Sequence, residues 1–155
     1  MIYVTVGTMY MDFPRLIHAM DGIAESSGQP VIIQTGMGTT VPEHCEHFDF
    51  KSHDEVLALQ SEARIIVSHA GIGSVIDALK QEKPLIVVPR LKQSGEHNND
   101  HQLELAEAVE RRGWGRVIMN IDDLKEACAD PPTPYKNYSP AKKELIESIR
   151  DVLRA

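Results

Sequence analysis

Residues 65–89 read IIVSHAGIGSVIDALKQEKPLIVVP, and no other stretch limits the possible folds of this chain so strongly. A β-branched run (Ile65, Ile66, Val67) stops at Ser68-His69-Ala70-Gly71-Ile72-Gly73-Ser74. A helix-like segment follows and Lys83-Pro84 breaks it. A second apolar run, 85–88, ends at Pro89. Two such runs joined by a helix-length crossover predict parallel strands buried on both faces. Ligands of open α/β sheets bind beyond the carboxyl ends of the strands. Residues 69–74 are therefore expected at a site.

The remaining chain repeats the alternation. Residues 2–6 form an apolar run ending at Gly7-Thr8, a strand entering a tight loop. Asp12-Phe13-Pro14 opens a helix, with Asp12 as the expected N-cap and Leu16, Ile17, Met20, Ile23 and Ala24 on one face. Ser26-Ser27-Gly28 ends it. Residues 31–34 read as the second strand and 48–50 as a short third. Residues 54–63 read as a helix with Val56, Leu57 and Leu59 inward. Residues 90–99 look too basic and hydrophilic to be core. A helix is expected over 100–112, capped by Gly113, then a strand at 117–119 and a short helix at 122–128. Pro131-Pro132-Thr133-Pro134 forces a loop before a terminal helix at 139–155. The predicted fold is α/β: a single Rossmann-like, doubly wound parallel sheet in one domain, 1–155.

Composition narrows the partners. A formal net charge of −7 argues against broad nucleic-acid binding, which needs a basic footprint. It still permits a nucleotide ligand, because a helix amino terminus holds phosphate locally. No apolar run approaches the roughly 20 residues of a membrane span, and MIYVTVGTMY lacks the basic start of a signal peptide. Cys45 and Cys128 form no motif and read as reduced thiols. His97 with His101, and His44 with His47, lack the acidic or cysteine partners of a zinc site.

The candidate site residues each admit two readings. Gly71 and Gly73, between strand and helix, suit either close approach of backbone amides to a phosphate or simply a tight βα turn. Ser74 donates to the same phosphate or caps the helix. Asp77, three residues on, accepts hydrogen bonds from ribose hydroxyls or is favoured by the helix dipole. Asp100 and Gln102 open the next long helix. Adjacent parallel strands should deliver both helix starts to one cleft, where a carboxylate and an amide suit sugar hydroxyls; the alternative is N-capping by Asn99 or Asp100 and a solvated Gln102. The dinucleotide motif G-x-G-x-x-G and the Walker A loop are both absent.

SHAGIGSVIDAL, KPLIVVP and NNDHQLELA together resemble the C-terminal half of GT-B glycosyltransferases that use UDP-sugars. The sequence is most similar to the family 28 C-terminal domain and to small donor-binding subunits of two-component transferases. One group adds the second GlcNAc to dolichol-linked oligosaccharide; bacterial relatives serve exopolysaccharide and capsule assembly. These proteins share a VTVGT-like first strand and an IIQ-G segment, as at 4–8 and 32–36. The resemblance covers about residues 2–114.

The resemblance implies that His69 and the amides around Gly71, Gly73 and Ser74 hold the diphosphate of UDP. It places Asp77 on the ribose, and Asp100 and Gln102 on the donor sugar's hydroxyls. Gly7 and Thr8 line the cleft, and the loop 50–53 borders the uracil. A Leu103 where the lipid II GlcNAc transferase has a second glutamine, and Asp77 where many relatives have Glu, leave the sugar undefined. The length implies only the donor half of a GT-B enzyme. The acceptor half, and the general base, then come from a membrane-anchored partner that recruits this chain to the cytoplasmic face of a membrane. The implied reaction moves a hexose or N-acetylhexosamine from a UDP-sugar to a lipid-linked acceptor, with no cofactor and no metal. The alternatives are a non-catalytic enhancer of a partner transferase, and a self-sufficient nucleotide hydrolase or epimerase.

Overall fold

In the computed structural model, which describes residues 1–139, the β-branched runs become six parallel strands. They are β1 (Ile2–Thr5), β2 (Val31–Gln34), β3 (Glu46–Phe48), β4 (Ile65–Ser68), β5 (Leu85–Val87) and β6 (Arg116–Val117). Their order across the sheet is β3-β2-β1-β4-β5-β6. The crossovers carry α1 (Pro14–Ser27), α2 (His53–Glu62), α3 (Ile72–Lys80) and α4 (His101–Arg111); α5 (Leu124–Ala129) follows β6. The expected doubly wound sheet is thus present. The predicted terminal helix, beyond its first residue, lies outside the described residues.

Strand alternation sorts the core into two layers. Ile2, Val4, Ile33, Ile65, Val67 and Ile86 point to one face and pack with Leu16, Ile17 and Met20 of α1 and Leu124 of α5. Tyr3, Ile66, Leu85 and Val87 point to the other and pack with Val75, Ala78 and Leu79 of α3 and Leu105 and Val109 of α4. β1 is central and every one of its four residues is buried. With both faces covered, a strand cannot alternate apolar and polar residues, which is why the runs are continuous.

Several local expectations are corrected. The third strand is Glu46–Phe48, not 48–50; it is a polar edge strand whose Phe48 alone packs on the core. On α2, Val56 and Leu59 pack half-buried against the core, as expected, and the fully buried residue is Gln60, whose Oε1 accepts from Gln81 Nε2 at 2.7 Å. The N-cap of α1 is Phe13 rather than Asp12. Asp12 instead accepts from the Phe13 amide at 2.8 Å and from the Thr40 amide at 3.0 Å, tying the β1–α1 loop to the β2–β3 loop.

The largest correction concerns the loop 90–99. Arg90 is fully buried and Glu96 is 4% exposed. The Arg90 guanidinium donates to the carbonyls of Met11 (2.8 Å), Asp12 (3.2 Å), Glu96 (3.1 Å) and Val6. It also sits 4.9 Å from the Phe13 ring centroid. Glu96 takes two bonds from Arg15, each 3.0 Å, and one from the Leu91 amide, also 3.0 Å. A buried charge persists only when paired and hydrogen-bonded, and here the loops supply the partners. Arg90→Met is expected to lower the unfolding free energy by about 3–5 kcal/mol, because one half of a buried network is removed. Urea denaturation reads this directly, and a loss below about 1 kcal/mol would show that the guanidinium is dispensable.

Candidate functional site

The register sets Phe48, Gln34, Thr5, Ser68 and Val87 in one row at the carboxyl end of the sheet. Gln34, Thr5 and Ser68 are buried polar residues, each closing an otherwise apolar strand. Such groups need partners. Thr5 Oγ1 accepts from the Gly7 amide at 3.0 Å and donates to Gln34 Oε1 at 3.1 Å. Ser68 Oγ donates to the His69 carbonyl at 2.7 Å. The exits of β1 and β4 are therefore fixed. Above the row lies a cleft of about 390 Å³, within the range typical of ligand sites. Of the expected residues, Gly7, Thr8, His69, Gly71, Gly73, Ser74 and Asp77 all line it.

His69 is the pivot of the cleft. Its ring lies between the α-carbons of Gly7 and Gly71. A Cβ at Gly7 would stand 2.5 Å from His69 Nε2, and one at Gly71 would also strike the ring. Both glycines are thus required by the histidine itself, a packing role that the sequence did not disclose. Gly73 differs, since a Cβ there would meet nothing within 4 Å. The space in front of it is left open by the protein. Burial, with the Arg90 guanidinium and His97 nearby, lowers the His69 pKa to about 3. The imidazole is accordingly neutral near pH 7.

α3 begins at Ile72, earlier than expected, with Gly71 as its N-cap. Ser74 lies inside the helix and does not cap it. No side chain caps this end, and its first turn holds no acid. The neighbouring helices differ. Ser52 Oγ accepts from the Glu55 amide at the start of α2, and Asn99 Oδ1 accepts from the His101 amide at the start of α4. Each of those helices also has an acid in its first turn. The amino end of α3 therefore presents uncapped N–H groups and the positive end of its dipole to the cleft, an anion site by construction.

The early start also moves Asp77 into the second turn of α3. The dipole acts mainly within the first turn, so it is a weak reason for an acid there. Asp77 Oδ2 instead meets His53 Nε2 at 3.0 Å across the cleft, His53 being mostly exposed. Lys51, on the same loop, adds a cation 5.1 Å from the Phe48 ring centroid. Of the segment 50–53, Lys51 and His53 line this side of the cleft.

Gln102 and Asp100 are placed differently. Gln102 is buried and joins the cleft through His69, its Nε2 lying 3.1 Å from His69 Nδ1, while its Oε1 accepts from the Arg90 amide at 2.9 Å. Asp100 lines a separate hollow with Leu91, Lys92, Gln93, Leu103 and Met119. The two helix starts share a sheet edge, but only Gln102 reaches the other site residues. The sequence reading missed Thr5, Gln34 and Val56 as lining residues. A polar residue closing a β-branched run was the available signal for the first two. Among the described residues, no three His, Cys, Asp or Glu side chains group as a metal site, and none of the helices is long and apolar enough to cross a membrane.

Comparison with known proteins agrees with the fold. Human UDP-N-acetylglucosamine transferase subunit ALG13 is 36% identical over 121 residues, 72% of this chain. The chain spans only about 10% of that relative's length. The solution structure of ALG13 superposes with a TM-score of 0.62 at 19% identity, covering 96% of this chain and 93% of that one. The calicheamicin glycosyltransferase CalG4 gives 0.63 at 18% identity, covering 99% of this chain and 38% of that one. These superpositions establish a shared fold, that of a GT-B C-terminal domain. The family model described as glycosyltransferase family 28 C-terminal domain matches residues 1–153, and this chain belongs to that family.

Proposed function

We propose that this chain, acting as one domain over residues 1–155, is the donor-binding subunit of a two-component glycosyltransferase. It binds a UDP-sugar, and a membrane-anchored partner supplies the lipid-linked acceptor in oligosaccharide or polysaccharide assembly, including exopolysaccharide. The observation that carries this reading is the uncapped amino end of α3 beside a buried neutral histidine, with Asp77 farther along the same helix. Family membership supports the reaction class, and the relative's description as a UDP-N-acetylglucosamine transferase subunit makes that donor the first to test.

The diphosphate lies over Ile72, Gly73 and Ser74, where backbone amides and the Ser74 hydroxyl donate to its oxygens. Asp77 accepts from the ribose hydroxyls, exchanging its exposed His53 partner for them. Thr8 and Gly7 bound the sugar end. On this reading Asp100, from the neighbouring hollow, and Gln102, beside His69, contact the donor sugar's hydroxyls. As the glycosidic bond breaks, negative charge grows on the leaving UDP. Preorganised amides and the α3 dipole are aimed at that charge, and this form of stabilisation does not require a bound metal ion. The general base resides on the partner, and the partner recruits this chain to the cytoplasmic face of the membrane.

Titration calorimetry with UDP-N-acetylglucosamine tests the binding step. The chain, alone or with its partner, is expected to bind, and Asp77→Ala to weaken binding about tenfold or more through loss of charge-assisted hydrogen bonds. No binding in either state would favour an enhancer that handles no nucleotide. Gly73→Val separates site from fold: its unfolding free energy should stay within about 1 kcal/mol of wild type, since valine and glycine are similarly poor in a helix and the space is open. Its donor affinity should nevertheless fall by about tenfold or more, because the side chain occupies the phosphate's position. Transfer of labelled sugar is expected only when both components are present.

A further inference from the structure

We propose that Gln102 is a positioning residue that fixes His69 as the Nε2–H tautomer, so that a neutral imidazole donates a hydrogen bond to the diphosphate of the bound nucleotide. The identity of that acceptor rests on the donor-binding reading above; the tautomer rests on the hydrogen-bond geometry alone.

The geometry leaves one consistent assignment. The Arg90 backbone N–H can only donate, and it points at Gln102 from 2.9 Å. The amide oxygen must therefore occupy that position, which turns the NH₂ group toward His69 Nδ1 at 3.1 Å. An NH₂ group also only donates, so Nδ1 accepts. In a neutral imidazole the remaining proton is then on Nε2. That nitrogen faces Gly7 at the wall of the cleft.

Neither end of this relay is free to turn over. The Arg90 main chain is anchored by its own side chain, which is caged by the Val6, Met11, Asp12 and Glu96 carbonyls. The imidazole is confined between Gly7 and Gly71. The charged and titratable groups acting on the ring are Arg90 and His97, and both oppose a second proton, as burial does. The wrong tautomer would aim a lone pair at a phosphate oxygen, a repulsion in place of a bond. One amide orientation, set from the β5–α4 loop, therefore decides whether the cleft attracts or repels an anion at this point. This gives Gln102 a task distinct from touching the donor sugar.

Gln102→Glu is the informative change because it preserves shape. One carboxylate oxygen still accepts from the Arg90 amide, and the other can only accept, so His69 Nδ1 must become a donor. The ring then adopts the Nδ1–H form or takes up a second proton. ¹⁵N NMR of the imidazole in the free protein reads this without any ligand. Wild type is expected to show neutral Nε2–H at neutral pH, and the variant Nδ1–H or imidazolium. UDP-N-acetylglucosamine, whose diphosphate does not titrate near neutrality, should bind Gln102→Glu about tenfold to a hundredfold more weakly at about pH 8. Affinity should recover toward about pH 6 as the imidazolium forms and restores a donor on Nε2. The ratio of variant to wild-type affinity carries this test, because the Asp77–His53 contact is common to both chains. Gln102→Met carries the same NMR test if the glutamate variant does not fold, and is expected to give a mixture of tautomers.

A wild-type ring found as Nδ1–H, or a ring unchanged by both variants, overturns the proposal. Donor binding by the wild type with equally tight binding by Gln102→Glu at about pH 8 overturns the positioning role alone. Absence of donor binding by a wild-type chain that carries the Nε2–H tautomer overturns the nucleotide reading, and with it the diphosphate as the acceptor.

Discussion

The Arg90 guanidinium is the contact on which the geometry of the cleft depends. Loops at the carboxyl edge of a parallel sheet carry backbone carbonyls with no strand or helix to pair them, and burying such groups unpaired is costly. A planar guanidinium offers five N–H donors in a fixed fork, so one side chain serves several carbonyls at once; a lysine ammonium has three donors and no such geometry. Arg90 uses this to join the β1–α1 loop, through Val6, Met11 and Asp12, to the β5–α4 loop through Glu96. Burial lowers its pKa to about 10, which leaves it charged at neutral pH. Its Nε has no partner among the described residues, a penalty of about 1–3 kcal/mol. The network tolerates that cost because the remaining donors hold two loops in register.

From this brace, two hydrogen-bond systems converge on Gly7. One runs from β2 through Gln34 Oε1 and Thr5 Oγ1 to the Gly7 amide. The other runs from the Arg90 amide through Gln102 to His69, whose ring abuts the Gly7 α-carbon. The glycine is squeezed from both sides, and its φ of +84° is one that residues with a Cβ rarely adopt. The wall between the β1 and β4 exits is therefore rigid. A chain of net charge −7 can still attract an anion there. Distant surface carboxylates are screened beyond about 8 Å at physiological salt. The uncapped α3 terminus, Lys51 and the buried Arg90 all act within the cleft or just behind it.

What the sequence disclosed, and what it hid, follows the range of the interactions. Strands with both faces buried announce themselves as β-branched runs, and β1, β2, β4 and β5 were all legible for that reason. So was the site's place at the carboxyl edge, because parallel strands deliver the helix starts after β4 and β5 to one edge, although Asp100 lines a separate hollow there. The buried state of loop 90–99 is hidden in the sequence because its charged residues look solvated until their partners are known, and those partners lie 78 to 84 positions away for Asp12, Met11 and Val6. Asp12 looks like a cap of the nearest helix, yet beside the Phe13 amide its bonds run to Thr39 and Thr40. Gly71 and Gly73 looked equivalent in G-I-G-S, yet one makes room for a histidine and the other for open space. Local spacing carries the element; it does not carry the contact across the sheet.

The two ends of the cleft differ in rigidity, and the difference suits the proposed donor binding. The end at His69 and the α3 terminus is built from buried, fully directed hydrogen bonds that need no rearrangement as charge develops, the condition under which preorganised dipoles are most effective. The opposite end, Asp77 with His53, is an ion-pair contact whose histidine is 68% exposed. Exposed pairs of this kind contribute about 0–1 kcal/mol, so Asp77 can exchange His53 for another partner, ribose hydroxyls on the proposed reading, at little cost. On the proposed donor-binding reading, rigidity is concentrated where the leaving group's charge would appear, and adaptability where the nucleoside would enter and leave. A site with the reverse arrangement would grip the nucleoside and reorganise at the phosphate. It would hold product after transfer and stabilise the transition state poorly.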